Sequence, residues 1–484
     1  MIKLKIDWAA NLVLAVLFYL ITDYISYKGA GAILSVCLAL SVMALFLKNE
    51  IKGFHLLIYL LLLSPDHPRN LIEDLDVLKE VGGMNYYSFI TTKVMGISLS
   101  VWSILVVGFL AVTKGIINNE LKVSRSSSKL LICILVVLIS ILLSTFFDLP
   151  SRNIVDAKFI FSDVKIFLML MLGVFIAESY IRKNPYYISD FMTVMVNISV
   201  IIGLKTLFFV VSDLILLTPK LMLATQPYIF IALVFAYLTL KVKNTYVLMA
   251  LAILASIKIS RGEIAYIMME ILMMILVIAL IYKNSAVDVV RMYLKNAFVG
   301  MFFIAVPVTL MAHYNEYLFN FLVYKFRFFT TEIWDGNVAY SASTRMYEFL
   351  NIVAFQIENV RALLIGRGLG GHFDFTFYPL GYSLGLSDFS AKELEMGAYF
   401  KPHFFINYVL LKLGVLGLIA YLALCLSFAF QGYKLSVNSE GIKKLFGVYT
   451  IYMCIYSFNM FWQPVLMFIC AVSLTFLLAE NRSR

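Results

Sequence analysis

The residues best suited to chemistry gather around one polar stretch of the chain, 311–402. Arg345 stands in Ser343-Thr344-Arg345-Met346-Tyr347-Glu348, Arg367 sits in the glycine-rich turn Gly366 to Gly371, and His403 follows Lys401-Pro402. A guanidinium is a permanently charged, forked donor suited to phosphate, and near a helix start it adds to the anion preference of the free N–H groups. A salt bridge to Glu348 is the alternative use of Arg345. Histidine exchanges a proton near neutrality, so His403 could deprotonate a hydroxyl as a general base; the alternative is a structural histidine at a membrane boundary. The glycine turn lacks the strand, helix and lysine of a phosphate loop, so it reads as tight turning and close backbone approach.

Further candidates lie elsewhere. Arg261, in Ser260-Arg261-Gly262-Glu263, falls between two apolar runs. It either snorkels at the interface or faces an enclosed cavity, where ionisable groups mark a substrate path. Lys205 lies within an apolar run and should face the bundle interior, paired with Asp213 or a bound anion. Asp74-Leu75-Asp76 has the spacing of a metal-using transferase, but no further ligands accompany it, and it reads as a solvated helix face. His55, His67, His313 and His372 have weaker context. Cys37, Cys133, Cys425, Cys454 and Cys470 all fall in apolar runs without metal spacing and read as small core residues.

The elements that must position these groups are membrane helices. The chain of 484 residues is 62% hydrophobic and only 14% charged, with mean hydropathy +0.90, far from the globular balance. Runs near the ~20 residues needed to cross a bilayer recur. They cover 8–26, 29–47, 53–64, 87–113, 130–147, 164–180 and 187–211 in the first half of the chain. Runs 224–240, 245–259, 264–282 and 297–312 precede the polar stretch, and 403–430, 445–461 and 464–480 follow it. The fold class is therefore an all-α polytopic membrane protein of about 14 spans, 12 or 13 being the alternatives.

Membrane orientation follows from Lys and Arg in short loops. With the N-terminus in the cytoplasm, twenty basic residues fall inside and eight in short outside loops. The net charge of +10 is thus a topology signal matched to anionic inner-leaflet lipid, and nothing calls for nucleic acid. The first run has no cleavage pattern and reads as a retained span. Three segments result: helices over 1–312, a large external loop over 313–402, and helices over 403–484. Shorter outside segments are expected at 65–87, 148–163 and 212–226.

The large loop has its own pattern. From Asn315 to Phe329, aromatics interleave with Lys325 and Arg327, which suits an interfacial helix. From Ser343 to Leu364, apolar Met346, Phe349, Leu350, Val353, Ile357, Val360 and Leu364 recur at three- and four-residue steps, predicting one amphipathic helix capped by Ser343 and ended by Gly366. Irregular structure is expected from Phe373 to Phe400, with a helical turn over Lys392 to Met396.

The order of these features resembles the O-antigen polymerase and O-antigen ligase superfamily of bacterial inner membranes. The likeness covers Ile257 to Phe430: Ser260-Arg261-Gly262 opening a span, Ser343-Thr344-Arg345 opening the large loop, the glycine turn, then His403 before a span containing Gly414-Val415-Leu416-Gly417. The resemblance implies a fold similar to the glycosyltransferase C type and a lipid-linked substrate, a glycan on undecaprenyl diphosphate. It implies Arg261 and Arg345 on the diphosphate and His403 as the catalytic histidine, with Arg367, Lys205 and Glu348 as auxiliaries. No metal or other cofactor is expected. Membrane lipid and a chain-length regulator are the expected partners, and the site should face the periplasm with both termini cytoplasmic. His403 is followed by Phe404 where ligases place asparagine, Asn407 comes later, and Lys412-Leu413 precedes Gly414 where ligases carry glutamate. These departures favour polymerase; ligase and lipid-linked sugar flippase are the alternatives.

Overall fold

The computed structural model describes residues 8–21, 25, 29–64, 88–118, 124–151, 157–216, 340–379, 389, 391–460 and 464–481. The runs expected from 224 to 312, and with them Arg261, lie outside the described residues, as do Asp74, Asp76 and the segment Asn315 to Phe329. Numbered along the described residues, the helices are α1 Trp8–Leu20, α2 Gly29–Lys48, α3 Glu50–Leu63, α4 Leu99–Ile117, α5 Arg125–Asp148, α6 Ala157–Lys183 and α7 Tyr187–Leu216. Then come α8 Tyr340–Ile357, α9 Val360–Ile365, α10 Ala391–Met396, α11 Phe405–Asn438, α12 Gly441–Met460 and α13 Pro464–Glu480. Among the described residues, five helices are long and apolar enough to cross a membrane, namely α2, α4, α6, α11 and Ser127–Asp148 of α5. The mostly helical chain has the character of a helical membrane protein.

Helix starts and stops follow local chemistry. Asn49 caps α3 by accepting from the Lys52 N–H at 3.0 Å, and Ser124 caps α5 through the Ser127 N–H at 3.3 Å. The apolar run expected over 87–113 becomes helix only at Leu99. Before it, β1 Lys93–Val94 and β2 Ile97–Ser98 pair antiparallel across Met95 and Gly96, whose φ values of 52° and 79° match the twist of a two-residue hairpin turn. The Trp102 indole N–H donates to the Val94 carbonyl at 3.0 Å and ties the hairpin to α4. Asp163, expected in a loop, sits on α6. Cys454 is buried, whereas Cys37 and Cys133 lie on exposed helix faces rather than in the core.

The chain divides into two compact units. The first comprises Met1–Leu110, Tyr180–Arg327 and Gly432–Tyr449. In it α1 and α3 pack on α7, and buried polar pairs link the helices: Asn11 donates to Asn197 at 2.8 Å, and His55 Nε2 lies 2.7 Å from the Tyr180 hydroxyl. Such bonds between helices suit an apolar surround, where solvation by water is missing.

The second unit comprises Ala111–Ser179, Phe328–Gln431 and Thr450–Arg484. Helix α13 is buried over most of its circumference from Val465 to Glu480, with Cys470, Leu474 and Leu478 along one half-buried stripe. Gly173 of α6 lets α13 approach: a Cβ there would stand 2.7 Å from Ala471 Cβ and 3.0 Å from the Phe468 carbonyl. Gly173→Ile should therefore destabilise the protein by about 1–3 kcal/mol through overpacking. Gly173→Ala should lower the apparent Tm in detergent less, and Gly173→Ala combined with Ala471→Gly less again; equal Tm in all three variants would refute the contact.

Candidate functional site

The candidate site lies within the second unit and grows from a break in α11. Gly414 has φ 67° and ψ −167°, so the helical hydrogen bonds stop there, and a Cβ would stand 2.5 Å from the Gly366 nitrogen and the Leu364 carbonyl. Only glycine fits that conformation and that approach. Carbonyls released by the break find other donors. Gln356 Nε2 donates to Leu410 O at 2.9 Å, the Arg367 N–H to Leu411 O at 2.8 Å, and the Gly368 N–H to Lys412 O at 3.0 Å. The glycine turn is thus docked backbone to backbone along the opened helix. Gly366, with φ 75°, ends α9 as the sequence predicts.

Two aspartates anchor this turn. Asp163 is 1% exposed in its side chain and accepts from Lys412 Nζ at 2.8 Å, the Tyr408 hydroxyl at 2.6 Å and the Gly370 N–H at 2.8 Å. Lys412 also donates to Gly371 O at 2.7 Å. Asp148, at the end of α5, receives Arg367 Nε at 3.2 Å and Arg361 Nη2 at 3.4 Å, while Arg361 Nη1 caps the Phe147 carbonyl. Arg367, expected as a second anion contact, is buried; it also donates to His372 O at 2.7 Å and lies 4.5 Å from the Phe355 ring centre. Its guanidinium holds the turn to Asp148.

Helix α8 brings the expected groups together. Its polar side points inward: Thr344, Glu348, Asn351 and Gln356 are all buried. The predicted amphipathic helix is present but is two pieces. It ends at Ile357, and Asn359 caps α9 by accepting from the N–H groups of Arg361 and Ala362. Ser343 lies inside α8 and is not its cap. Glu348 does not serve as a mere surface partner. Its carboxylate, 0% exposed, accepts from the His403 backbone N–H at 3.0 Å and 3.2 Å and bonds the His403 ring at Nδ1. Phe389 supports the other side of the imidazole, edge-on at 4.9 Å. One helical turn before Glu348, the half-buried Arg345 guanidinium lies 5.2 Å from the Phe404 ring, and Asn407 Nδ2 donates to the Arg345 carbonyl at 3.2 Å.

Arg345, Glu348 and His403 are therefore neighbours, while Lys205 is buried on α7 in the first unit. The proposed partner Asp213 lies outside the described side chains. Around the histidine, α10 ends at Gly397 in the left-handed region (φ 59°), and Glu393 accepts the Phe400 N–H at 3.0 Å. Phe373 and Tyr399 exchange two backbone bonds of 3.1 Å and 2.9 Å, and Asn351 grips Tyr378 through both its N–H and its carbonyl. These close the expected irregular segment over a core of Ile352, Phe373, Phe389, Tyr399, Leu410 and Leu411. Burial pushes the Lys401 amine below its usual range, with Asp163 and Glu393 pulling it back up and Lys412 and Lys158 adding to the depression. Among the described residues no cluster of His, Cys, Asp and Glu could hold a metal ion.

Sequence reasoning missed Asp148, Asp163, Tyr408 and Lys412. For Asp148, Asp163 and Lys412 the signal was charge inside or at the end of apolar runs, which needs a partner in a dry interior; the neutral Tyr408 gave none. Breaking a buried pair costs about 3–5 kcal/mol because a lone charge remains, whereas an apolar replacement of both partners is often close to neutral. Lys412→Ala and Asp163→Ala should each lower the apparent Tm sharply. Asp163→Leu combined with Lys412→Met should recover much of the loss, and a double variant as unstable as the sum of the singles would refute the pairing. No protein-family model, curated protein or solved structure matches this chain, so the site stands on its own geometry.

Proposed function

We propose that the chain is a polymerase of lipid-linked oligosaccharide units of the O-antigen or capsule type. It transfers a glycan from undecaprenyl diphosphate to the sugar end of another lipid-linked unit. The observation that carries this reading is the clamp of Glu348 on both the backbone and the ring of His403, one helical turn from Arg345. A buried carboxylate accepting from Nδ1–H orients the imidazole and assigns the proton exchange to Nε2. A guanidinium beside it suits a leaving group that gains negative charge. The reading carries with it about fourteen spans, a glycosyltransferase C-like fold, and a bacterial inner membrane with cytoplasmic termini and the site facing the periplasm.

In the proposed reaction the acceptor hydroxyl oxygen attacks the anomeric carbon and forms the new glycosidic bond. The bond from that carbon to the diphosphate oxygen breaks, its electron pair leaving with undecaprenyl diphosphate. The hydroxyl proton passes to His403 Nε2. Arg345 holds the diphosphate, the resemblance adds Arg261 as a second arginine for it, and single displacement gives inversion. The donor is already activated, so the scheme uses neither nucleotide nor metal.

In a deletion strain, wild-type protein should restore a polymer ladder on gels. His403→Ala, Arg345→Ala and Arg261→Ala should leave single repeat units at unchanged protein level, with rates down by about 10²-fold or more for the histidine. Glu348→Gln should lower turnover by purified protein supplied with lipid-linked units, without lowering substrate binding. Wild-type ladders in all three alanine variants would overturn the site. Long chains stranded on undecaprenyl diphosphate in the deletion strain would indicate a ligase, and purified protein that forms no polymer would indicate transport.

A further inference from the structure

The outer side of α8 and α9 is apolar except for exposed Glu358 and Asn359 at the joint between them, whereas the inner side of α8 carries buried polar groups. Met346 is 55% exposed, Ile357 60%, Val360 67% and Leu364 44%, with Phe349 beside them. The helix cannot roll to hide this stripe. Glu348 is tied to His403, Asn351 to Tyr378 and Gln356 to the Leu410 carbonyl, so the polar side is fixed inward by three independent sets of bonds. An exposed apolar stripe of this extent marks an interaction surface.

The neighbouring helix indicates the occupant. α9 packs on α5, and Arg361 bonds the Phe147 carbonyl and Asp148 at the end of α5. There Leu143 is 53% exposed and Phe146 73%. Because α5 contains one of the stretches long and apolar enough to cross a membrane, its exposed face suits acyl chains, and α9, packed on α5, brings its end of the stripe beside that face. Arg361, one-third exposed where the two meet, has the placement of a cation that reaches for the headgroup level from an apolar surround.

We infer that the Met346–Leu364 stripe is seated in the acyl region of the bilayer, so that α8 forms a wall between lipid on one side and the Arg345–Glu348–His403 cluster on the other. This placement stands whether or not the protein is a polymerase. The test is photo-crosslinking of the full-length protein in phospholipid nanodiscs, with benzoylphenylalanine replacing Ile357 and, separately, Val360. Leu143 of α5 is the lipid-facing reference and the exposed Lys392 the polar one. Phospholipid adducts at both positions, at a yield comparable to Leu143 and absent at Lys392, are the expected result. No lipid adduct at either position, or cross-links only to a second copy or another protein, would overturn the inference.

Discussion

The contact on which the second unit depends is the pair of Asp163 and Lys412 inside apolar helices. A lone charge in such an interior is expensive, so the pair must be completed, and the protein completes it with neutral donors from the Tyr408 hydroxyl and the Gly370 N–H. That requirement pulls the glycine turn against α11. The turn fits only because Gly366 and Gly414 lack side chains where their backbones meet, and α11 opens at the same point to offer its carbonyls. Charge pairing, helix breaking and glycine placement are one arrangement.

The histidine inherits its position from this arrangement. Gln356 fixes the end of α8 to the opened carbonyls of α11, and about two and three turns back along α8 Glu348 and Arg345 stand against the residues just before and after the start of α11. The imidazole is thus held by elements that are themselves held at Gly414. Its support is polar on one side and aromatic on the other, through Phe389, which limits how the ring can turn.

Much of the helical layout was legible in the sequence: α2 and α13 fall within a residue or so of the apolar runs 29–47 and 464–480, and Gly366 ends its helix as expected. The hairpin at Met95-Gly96 was hidden because Val94, Met95 and Ile97 carry the apolar run through the turn, with only Thr91, Thr92, Lys93 and Ser98 interrupting it. The break at Gly414 was hidden because the apolar pattern runs through it. The period of α8 was readable, but its polarity was not, since periodicity identifies two faces without saying which is inward. That Arg345 and His403 share a neighbourhood was suggested by motif order alone; Glu348, which bonds His403, was legible only as a salt-bridge partner of Arg345 or an auxiliary of the site.

The pairing of Asp163 with Lys412 also has a consequence in time. The partners are 249 residues apart, and Asp148 and Arg367 are 219 apart. At a synthesis rate of ~5–20 residues per second, Asp163 precedes its cation by roughly ten to fifty seconds. During that interval α6 carries a carboxyl with no permanent partner, and neither α5 nor α6 can settle in its final surroundings until the second half of the chain arrives. A chain cut short before Arg361 would therefore lose more than its last helices, because two aspartates made early would never receive the cations they end with.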